Sequence, residues 1–141
     1  DDVYPEIRDF QQDVIATFRN RGFVFSKLRR RSYLEDKRYA YQGVSRIIQN
    51  SGGDHTKTAL LSLCQYEDAF PNDFQVLMTI HDSFIFQSSS VEHAREAQRL
   101  LEKAAPDIGL EIPIPVDVGF GNNWGEASYI KRGKQWWLQA N

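Results

Sequence analysis

Two short apolar runs near the middle of the sequence flank a polar centre. The segment reads FQVLMTIHDSFIFQ, with His81, Asp82 and Ser83 between the runs. Runs of this length, rich in β-branched and aromatic residues, favour strands, and polar residues between them favour a tight turn. The segment therefore predicts a β-hairpin with Asp82 at its tip. Asp and Ser are also common turn residues for local hydrogen-bonding reasons, so the pattern alone favours an ordinary turn over a functional site.

Apolar residues at helical spacing precede this hairpin. The first helix is predicted from about Pro5 to Arg21, because proline suits a first turn and Gly22 suits a C-terminal stop. A longer helical pattern covers about residues 38–69 and contains the adjacent glycines Gly52 and Gly53. These glycines favour either a break between two helices or the close approach of another backbone, such as a nucleic-acid strand.

The remaining segments complete an α+β pattern. FVFSKL and RSYL favour two strands joined by an arginine run. A capping pattern at Ser89 opens a helix that ends near Pro106, and alternating apolar residues over Ile112–Phe120 predict one more strand. The expected fold is a single α+β domain over residues 1–141. Its antiparallel sheet, made of the central hairpin and the C-terminal strand, would pack against the helices.

The net charge argues against a free-standing nucleic-acid-binding domain. Such domains are usually basic, whereas the formal net charge here is −2. A local basic face is still expected, because five basic residues lie close together: Arg29, Arg30, Arg31, Lys37 and Arg38. A cluster of this kind can also be the solvated end of a hairpin.

Cysteine content and hydropathy restrict the cellular setting. Cys64 is the only cysteine, so no internal disulfide can form and a reducing compartment such as the cytoplasm fits. No apolar run approaches the about 18 residues that cross a bilayer, and the first residues lack the features of a signal peptide, so no membrane partner is expected. The only methionine is Met78, which suggests a piece of a longer polypeptide or one of two subunits.

Four strings of the sequence, taken together, resemble the C-terminal palm segment of the family A DNA polymerases, the bacterial DNA polymerase I type, as found in bacteria and phages. TIHDSF resembles the string around the invariant Asp of the third polymerase motif, which is usually His-Asp-Glu. QNSGGDHTK resembles the helical segment Gln-Gly-Thr-Ala-Ala-Asp. GFVFSKLRRRSYLED resembles the arginine-bearing hairpin, and IPIPVDVGFGNNWGEA resembles the closing strand and turn. The strings follow the family's order and span about Tyr4 to Ala127.

The resemblance implies template-directed DNA synthesis by two-metal nucleotidyl transfer. Asp82 would be the catalytic carboxylate and metal ligand, with two Mg²⁺ ions in the assembled site and Mn²⁺ as a substitute. His81 would lie against the phosphate or sugar of the primer terminus. Primer–template DNA and a deoxynucleoside triphosphate (dNTP) would be the substrates.

Contacts to the DNA duplex follow from the same resemblance. Gln49 would face the minor groove, where an amide donor can test base-pair geometry without reading sequence. Arg30 and Arg31 would meet backbone phosphates, which position a duplex but do not specify its sequence.

The sequence also departs from the family pattern. Ser83 replaces the usual Glu after Asp82, as in single-subunit phage-type RNA polymerases, so a polymerase fragment of that kind is an alternative. Tyr41 and Ser45 occupy the positions of the family's minor-groove Arg and Asn. The resemblance implies that Gln42 and Arg46 replace these contacts.

Part of the family's active site is missing from this sequence. A second catalytic Asp and the fingers helix that binds the triphosphate would have to come from the remaining polymerase portion or from another subunit, so the isolated chain is expected to be inactive. A non-catalytic module with a palm-like fold is the other alternative. Trp136 and Trp137, in a tail beyond the family's usual end, would suit a partner surface or would pack on their own domain.

Overall fold

The computed structural model of this chain describes residues 4–34 and 36–127, and it divides into two compact units, Asp1–His55 and Thr56–Asn141. The elements are α1 (Pro5–Arg21), β1 (Phe23–Phe25), β2 (Arg31–Tyr33), a 3₁₀ helix (Lys37–Tyr39), α2 (Gln42–Ala69), β3 (Phe74–Ile80), β4 (Ser83–Ser88), α3 (Val91–Asp107) and α4 (Trp124–Ala127). β1 pairs with β2 and β3 pairs with β4, both antiparallel. The predicted α+β class is confirmed, and Trp136 and Trp137 lie outside the described residues.

Helix α1 has the bounds that the sequence predicts, because both of its ends have residues suited to them. Pro5 is the first helical residue, and Gly22 caps the C-terminus in the left-handed region at φ 79° while its N–H donates to the Phe18 carbonyl. Phe18 is fully buried and packs with Val14 and Val24 in the hydrophobic cluster of the first unit. This packing holds β1 against α1.

Helix α2 is continuous, so of the two possibilities that the glycines leave open, a break between two helices is excluded. The helix has 28 residues and contains both Gly52 and Gly53 in its interior. A Cβ on Gly52 would meet no atom within 4 Å, and a Cβ on Gly53 would lie 3.7 Å from Nη2 of Arg30. The flanking helical spacing therefore outweighs the cost of two glycines, about 1 kcal/mol each relative to alanine.

We expect Gly52→Ala to raise the free energy of unfolding by about 1 kcal/mol, because alanine restricts the unfolded chain and has open space in the helix. Urea unfolding of the 141-residue chain would measure the change. Gly43→Ala is the matched control in the same helix, since its Cβ would lie 3.1 Å from Cγ1 of Val14 and should gain less. A loss of stability in Gly52→Ala would contradict this prediction.

The second unit has its own hydrophobic cluster, built from the second half of α2, the β3–β4 hairpin and α3. Its buried members are Ala59, Leu63, Phe74, Ala97, Leu101 and Ala104. α3 contributes one alanine-rich stripe, and small side chains there leave room for the rings of the hairpin. Ser90, one residue after the predicted Ser89, caps α3 by accepting from the His93 N–H. The sequence predicts one core, whereas the described residues form two clusters; a single domain stays a prediction.

The β3–β4 hairpin is confirmed, with a β-bulge that the sequence does not reveal. Val76 pairs with Phe86 and Met78 pairs with Ile85, so Leu77 is the extra residue on β3. A bulge increases the local twist of a hairpin and shifts the side chains that follow it to the other face. Leu77 and Met78 are accordingly half-exposed, at 51% and 46% of their surface.

The predicted C-terminal strand is wrong, because residues 112–120 form no strand in the described part of the chain. Pro113 and Pro115 have no N–H to donate to a ladder. Side chains of α3 satisfy the backbone of Val116 instead, since Gln98 Nε2 donates to its carbonyl at 2.7 Å and its N–H donates to Glu102 Oε1 at 3.2 Å. The apolar alternation persists because Val116 packs on the second cluster.

A tight turn follows this segment, and it explains the glycines of the string GFGNNW. A Cβ on Gly119 would overlap the Ala127 carbonyl, and a Cβ on Gly121 would overlap Glu126. Glu126 also accepts from the Asn122 N–H at 2.9 Å. Both glycines are therefore required by close approach of backbone. Among residues 4–34 and 36–127, no helix combines the length and apolarity needed to cross a membrane.

Candidate functional site

The tip of the β3–β4 hairpin holds the two residues that the sequence assigns to catalysis. Ile80 pairs with Ser83, so the loop consists of His81 and Asp82 alone. His81, Asp82 and Ser83 are all exposed. A two-residue loop keeps the Asp82 backbone within one residue of a paired strand on each side, which restricts where its carboxylate can lie.

The backbone of His81 adopts a left-handed conformation with φ 55°. Two-residue hairpin loops need positive φ at the first or at both central positions, and glycine or asparagine usually supplies it. A histidine there costs about 1–2 kcal/mol relative to a right-handed conformation. Residues in such conformations cluster at functional sites, so the strain adds weight to this loop as a site.

The hairpin is fixed to the core of the second unit by its other end. The rings of Phe74 and Phe86 lie 4.9 Å apart, and the ring of Phe74 lies 5.2 Å from that of Tyr66 on α2. The Tyr66 hydroxyl is 2.8 Å from Nδ1 of His93 on α3. Burial raises the pKa of Tyr66, with the negative charges of Glu96 and Asp73 acting in the same direction. The base of the hairpin is therefore packed into the core of the second unit, and the tip projects from it.

The described residues alone do not complete a metal site. Over 4–34 and 36–127, no three His, Cys, Asp or Glu residues come together so that they could hold a metal ion. The Asp82 carboxylate is a hard oxygen ligand of the type that Mg²⁺ prefers, and Mg²⁺ is commonly held by one or two carboxylates together with substrate phosphates. The donor chemistry fits, and the further ligands would have to come from elsewhere.

A second feature, in the first unit, is the loop that joins β1 to β2, here called the basic turn (residues 26–30). Its backbone closes on itself, since the Ser26 N–H donates to the Arg30 carbonyl at 2.9 Å and the Arg29 N–H donates to the Ser26 carbonyl at 2.9 Å. The Ser26 hydroxyl accepts from the Arg30 N–H at 3.1 Å. Arg29 adopts positive φ, 59°, at the end of this turn.

The basic turn is bound to α2 through Asp54, which is 2% exposed. One carboxylate oxygen, Oδ2, accepts from the Leu28 N–H at 3.0 Å, and the other, Oδ1, lies 2.9 Å from Nη2 of Arg30. Burial acts to raise the pKa of Asp54, but hydrogen bonds from Ser26 and Leu28 and the charge of Arg30 outweigh it, so the pKa lies below its ordinary value. The folded state thus favours the ionised carboxylate.

This lowered pKa predicts a loss of stability in acid. An aspartate with a folded pKa below its unfolded value of about 3.9 stabilises the fold fully above that value, and the contribution disappears as pH falls through the folded pKa. The difference in free energy of unfolding between wild type and Asp54→Asn should therefore be largest near neutral pH and shrink below about pH 4. Urea unfolding of both chains across this range measures it, and a pH-independent difference would contradict the prediction.

The outer face of the β1–β2 hairpin combines aromatic rings with arginines. The Arg31 guanidinium lies 5.0 Å from the centre of the Phe23 ring, and that of Arg29 lies 5.9 Å from the Phe25 ring. Tyr33 extends the aromatic surface, with its ring 5.5 Å from that of Phe23. Cation–π contacts of this kind restrict both guanidinium groups to the outer face, where Arg29 and Arg31 are exposed.

Three of the predicted DNA-binding residues form one stripe on α2. Gln42, Arg46 and Gln49 recur at intervals of four and three, which places them on the same side of a helix. Arg46 and Gln49 are exposed, and Gln42 is partly buried. The stripe continues to Gly53, beside the Arg30 guanidinium. Arg30 and Gln49, which lie far apart in sequence, are therefore brought to neighbouring parts of the first unit.

Comparison with known proteins decides the family. The sequence profile of DNA polymerase family A matches residues 2–126, most of the 141 residues. The chain belongs to DNA polymerase family A.

Curated relatives of this family A chain are several times longer. DNA polymerase I of Treponema pallidum (strain Nichols) is 28% identical over 134 residues, which cover 89% of this chain and 13% of that protein. DNA polymerase I of Mycobacterium leprae (strain TN) is 26% identical over 132 residues, covering 87% and 14%. The chain thus spans about an eighth to a seventh of the length of these relatives.

A solved structure agrees with the family A assignment. The POL domain of Pol1 from M. smegmatis, in complex with DNA primer-template and dNTP, matches with a TM-score of 0.74 and 25% sequence identity, over 91% of this chain and 24% of that chain. The predicted palm-like α+β fold is confirmed by this match. The individual roles of Asp82, His81 and the DNA-binding residues stay predictions.

Sequence reasoning missed Asp54 as a site residue of this family A chain. The string QNSGGDHTK contains Asp54, but its resemblance to the family segment gives a role only to Gln49. One signal was present: Asp54 follows Ile47 by seven residues and so lies on the apolar side of α2, where an acid needs a partner. The arginine run supplies that partner in Arg30.

Proposed function

We propose that this chain is part of a template-directed DNA polymerase that adds deoxynucleotides to a primer 3′ end by two-metal nucleotidyl transfer. It acts only together with the portion that carries the fingers and the second catalytic Asp, in the cytoplasm of a bacterium or a phage-infected cell. One observation carries the proposal: in a chain that matches family A over residues 2–126, Asp82 is exposed at the tip of a two-residue hairpin loop between paired strands.

Asp82 is proposed as the ligand that this chain contributes to the metal site. Paired Mg²⁺ ions, or Mn²⁺ in their place, supply charge stabilisation to the attacking and leaving oxygens when bound. The role of Asp82 is to offer carboxylate oxygens from a fixed point, because its loop is held by paired strands and by the ring contacts of Phe74 and Phe86. Fixing a ligand in advance lowers the cost of assembling the reacting groups.

His81 is proposed to lie against the phosphate or sugar of the primer terminus. It precedes Asp82 in the same two-residue loop, and its φ of 55° is the conformation that a short hairpin loop demands. An exposed imidazole can donate an N–H to a phosphate or sugar oxygen. Its contribution is to orient the primer terminus beside the carboxylate.

The first unit is proposed to hold the primer–template duplex. Gln49 faces the minor groove with an amide donor, and Gln42 and Arg46 extend the contact along the same stripe. Arg31 and Arg30 meet backbone phosphates. The Arg30 side chain is 46% exposed, so its guanidinium can approach a phosphate while Nη2 remains on Asp54.

The proposal is tested by complementation with the missing portion. A polypeptide that carries the fingers and the other catalytic Asp, mixed with this chain, is expected to extend a primer in the presence of Mg²⁺ and dNTPs, and chelation of Mg²⁺ should stop the reaction. The chain alone should give no product, because its described residues offer no complete metal site. Extension by the chain alone, or none by the complemented enzyme, would contradict the proposal.

A single-subunit RNA polymerase is the second candidate, favoured by Ser83 directly after Asp82. The same complemented enzyme decides between the two. Deoxynucleotides should support extension at least about tenfold better than ribonucleotides, a difference of about 1.4 kcal/mol in transition-state stabilisation. The reverse preference would favour the RNA polymerase.

A further inference from the structure

We propose that Asp54 is a positioning residue for duplex binding: its carboxylate fixes the basic turn (residues 26–30) beside the part of α2 that holds Gln49. This inference rests on the proposed function. Neither the resemblance nor the family assignment gives Asp54 a role. The contacts of Asp54 connect the arginines of the basic turn to the part of α2 that contains Gln49.

The polar contacts that join the basic turn to α2 fall within five residues after Gln49. The Lys27 N–H donates to the Ser51 hydroxyl at 3.0 Å, and Arg30 Nη2 donates to the Asn50 carbonyl at 3.0 Å. Asp54 receives the Leu28 N–H and the Arg30 guanidinium, one on each carboxylate oxygen. The turn is thereby held at three points along about one helical turn of α2, next to the residue proposed to read the minor groove.

Asp54 is the central point of this attachment because of its burial and charge. It is 2% exposed, whereas Ser51 and Asn50 are only partly buried. Hydrogen bonds to a shielded charged group are stronger than neutral ones, and a buried carboxylate without partners would be costly. The Asp54 carboxylate needs the donors of the basic turn, and the turn needs this carboxylate to stay in place. The distance between the arginines of the turn and Gln49 is therefore set by Asp54.

Asp54→Asn is the most informative variant, since it keeps the shape of the side chain and removes its negative charge and one acceptor. A carboxylate has two acceptor oxygens, whereas an amide has one oxygen and an NH₂ group that would face a donor from Leu28 or Arg30. The hydrogen bond to Leu28 or the one to Arg30 must then break. The basic turn should lose its fixed position while Asp82, in the other unit, is untouched.

The test uses the complemented polymerase and steady-state primer extension. For Asp54→Asn, the KM for primer–template should rise about tenfold, equivalent to about 1.4 kcal/mol of duplex binding that depends on the position of the basic turn, while kcat at saturating DNA stays within about twofold of wild type. The dependence of duplex affinity on salt should also weaken, by about one unit of the log–log slope for each phosphate that the variant no longer binds. A merely structural defect would not separate KM from kcat in this way.

Asp36→Asn is the matched control. Asp36 also binds an arginine, with Oδ2 2.7 Å from Nε of Arg38, but the pair is exposed and lies outside the basic turn. The same chemical change there should leave the KM for primer–template unaltered. Thermal unfolding of each variant checks that the chain is folded under the assay conditions.

Two further variants keep the inference testable if Asp54→Asn does not fold. Ser51→Ala removes only the acceptor of the Lys27 N–H and should raise the KM for primer–template in the same direction by a smaller factor. A double-mutant cycle of Arg30→Gln with Asp54→Asn should show coupling in duplex affinity, because the two side chains act through one ion pair.

An unchanged KM in Asp54→Asn and Ser51→Ala, in an enzyme whose wild type binds duplex, would overturn the positioning role alone. No duplex binding by the wild type would overturn the proposed function as well.

Discussion

Asp82→Asn is expected to lower the rate of primer extension by the complemented polymerase about 1,000-fold, equivalent to about 4 kcal/mol of transition-state stabilisation. The reason is that an amide is a poor substitute for a carboxylate in a site that must hold divalent cations against developing phosphate charge. The fold should be unaffected, because Asp82 is exposed at the tip of the hairpin. Single-turnover extension with excess enzyme measures the rate without interference from product release.

Asp107→Asn serves as the control for that loss. Asp107 is an exposed aspartate at the end of α3 in the same unit. The same change there should leave the extension rate within about twofold, as expected for a surface substitution away from the site. Equal rates in wild type and Asp82→Asn would instead favour a non-catalytic module that retains the palm fold.

Phe74→Ala is expected to destabilise the chain by roughly 3–5 kcal/mol, the usual cost of removing a buried ring. Phe74 is 1% exposed and touches the rings of both Tyr66 and Phe86. Since small domains are stable by only about 5–15 kcal/mol, this loss removes a large part of the stability of the chain. Urea unfolding of the 141-residue chain measures the change.

Leu77→Ala is the control on the same strand. Leu77 is 51% exposed at the bulge of β3, so its truncation removes little buried surface and should cost about 0.5 kcal/mol or less. If Leu77→Ala lowered the free energy of unfolding as much as Phe74→Ala, the Leu77 side chain would have to be buried against another part of the chain. The packing account of β3 would then be contradicted.

The elements with strong local signals could be predicted from the sequence. α1 has proline at its start and glycine at its end, so its bounds follow from two residues. The β3–β4 hairpin follows from two apolar runs and a polar pair. The bulge at Leu77 does not, because the extra residue belongs to an apolar run that reads the same in either register.

Local patterns wrongly predict a strand over residues 112–120 and leave the conformation at Gly52 and Gly53 open. The alternation of residues 112–120 is real, yet Gln98 and Glu102 of α3 bind the Val116 backbone where a neighbouring strand would have to be. Gly52 and Gly53 mark a break by local propensity, but the helix continues through them. Pro113 and Pro115 are local signals against the strand, and the helical spacing on both sides of the glycines favours the continuous helix.

The sequence predicts individual residues of the candidate site but not the contacts between them. Short strings of the sequence predict Asp82 and Gln49, whereas the position of Asp54 depends on contacts between α2 and the basic turn. Its partners, Leu28 and Arg30, lie 26 and 24 residues away in sequence. Partners at such separations are set by folding, and local patterns do not show them.

Counting bound metal ions tests most directly whether Asp82 is a metal ligand. In the complemented polymerase with primer–template and a non-hydrolysable dNTP, bound Mn²⁺ can be counted by electron paramagnetic resonance. About two ions per enzyme are expected in the wild type and at least one fewer in Asp82→Asn. An equal number of bound ions in both proteins would contradict the claim that Asp82 is the metal ligand supplied by this chain.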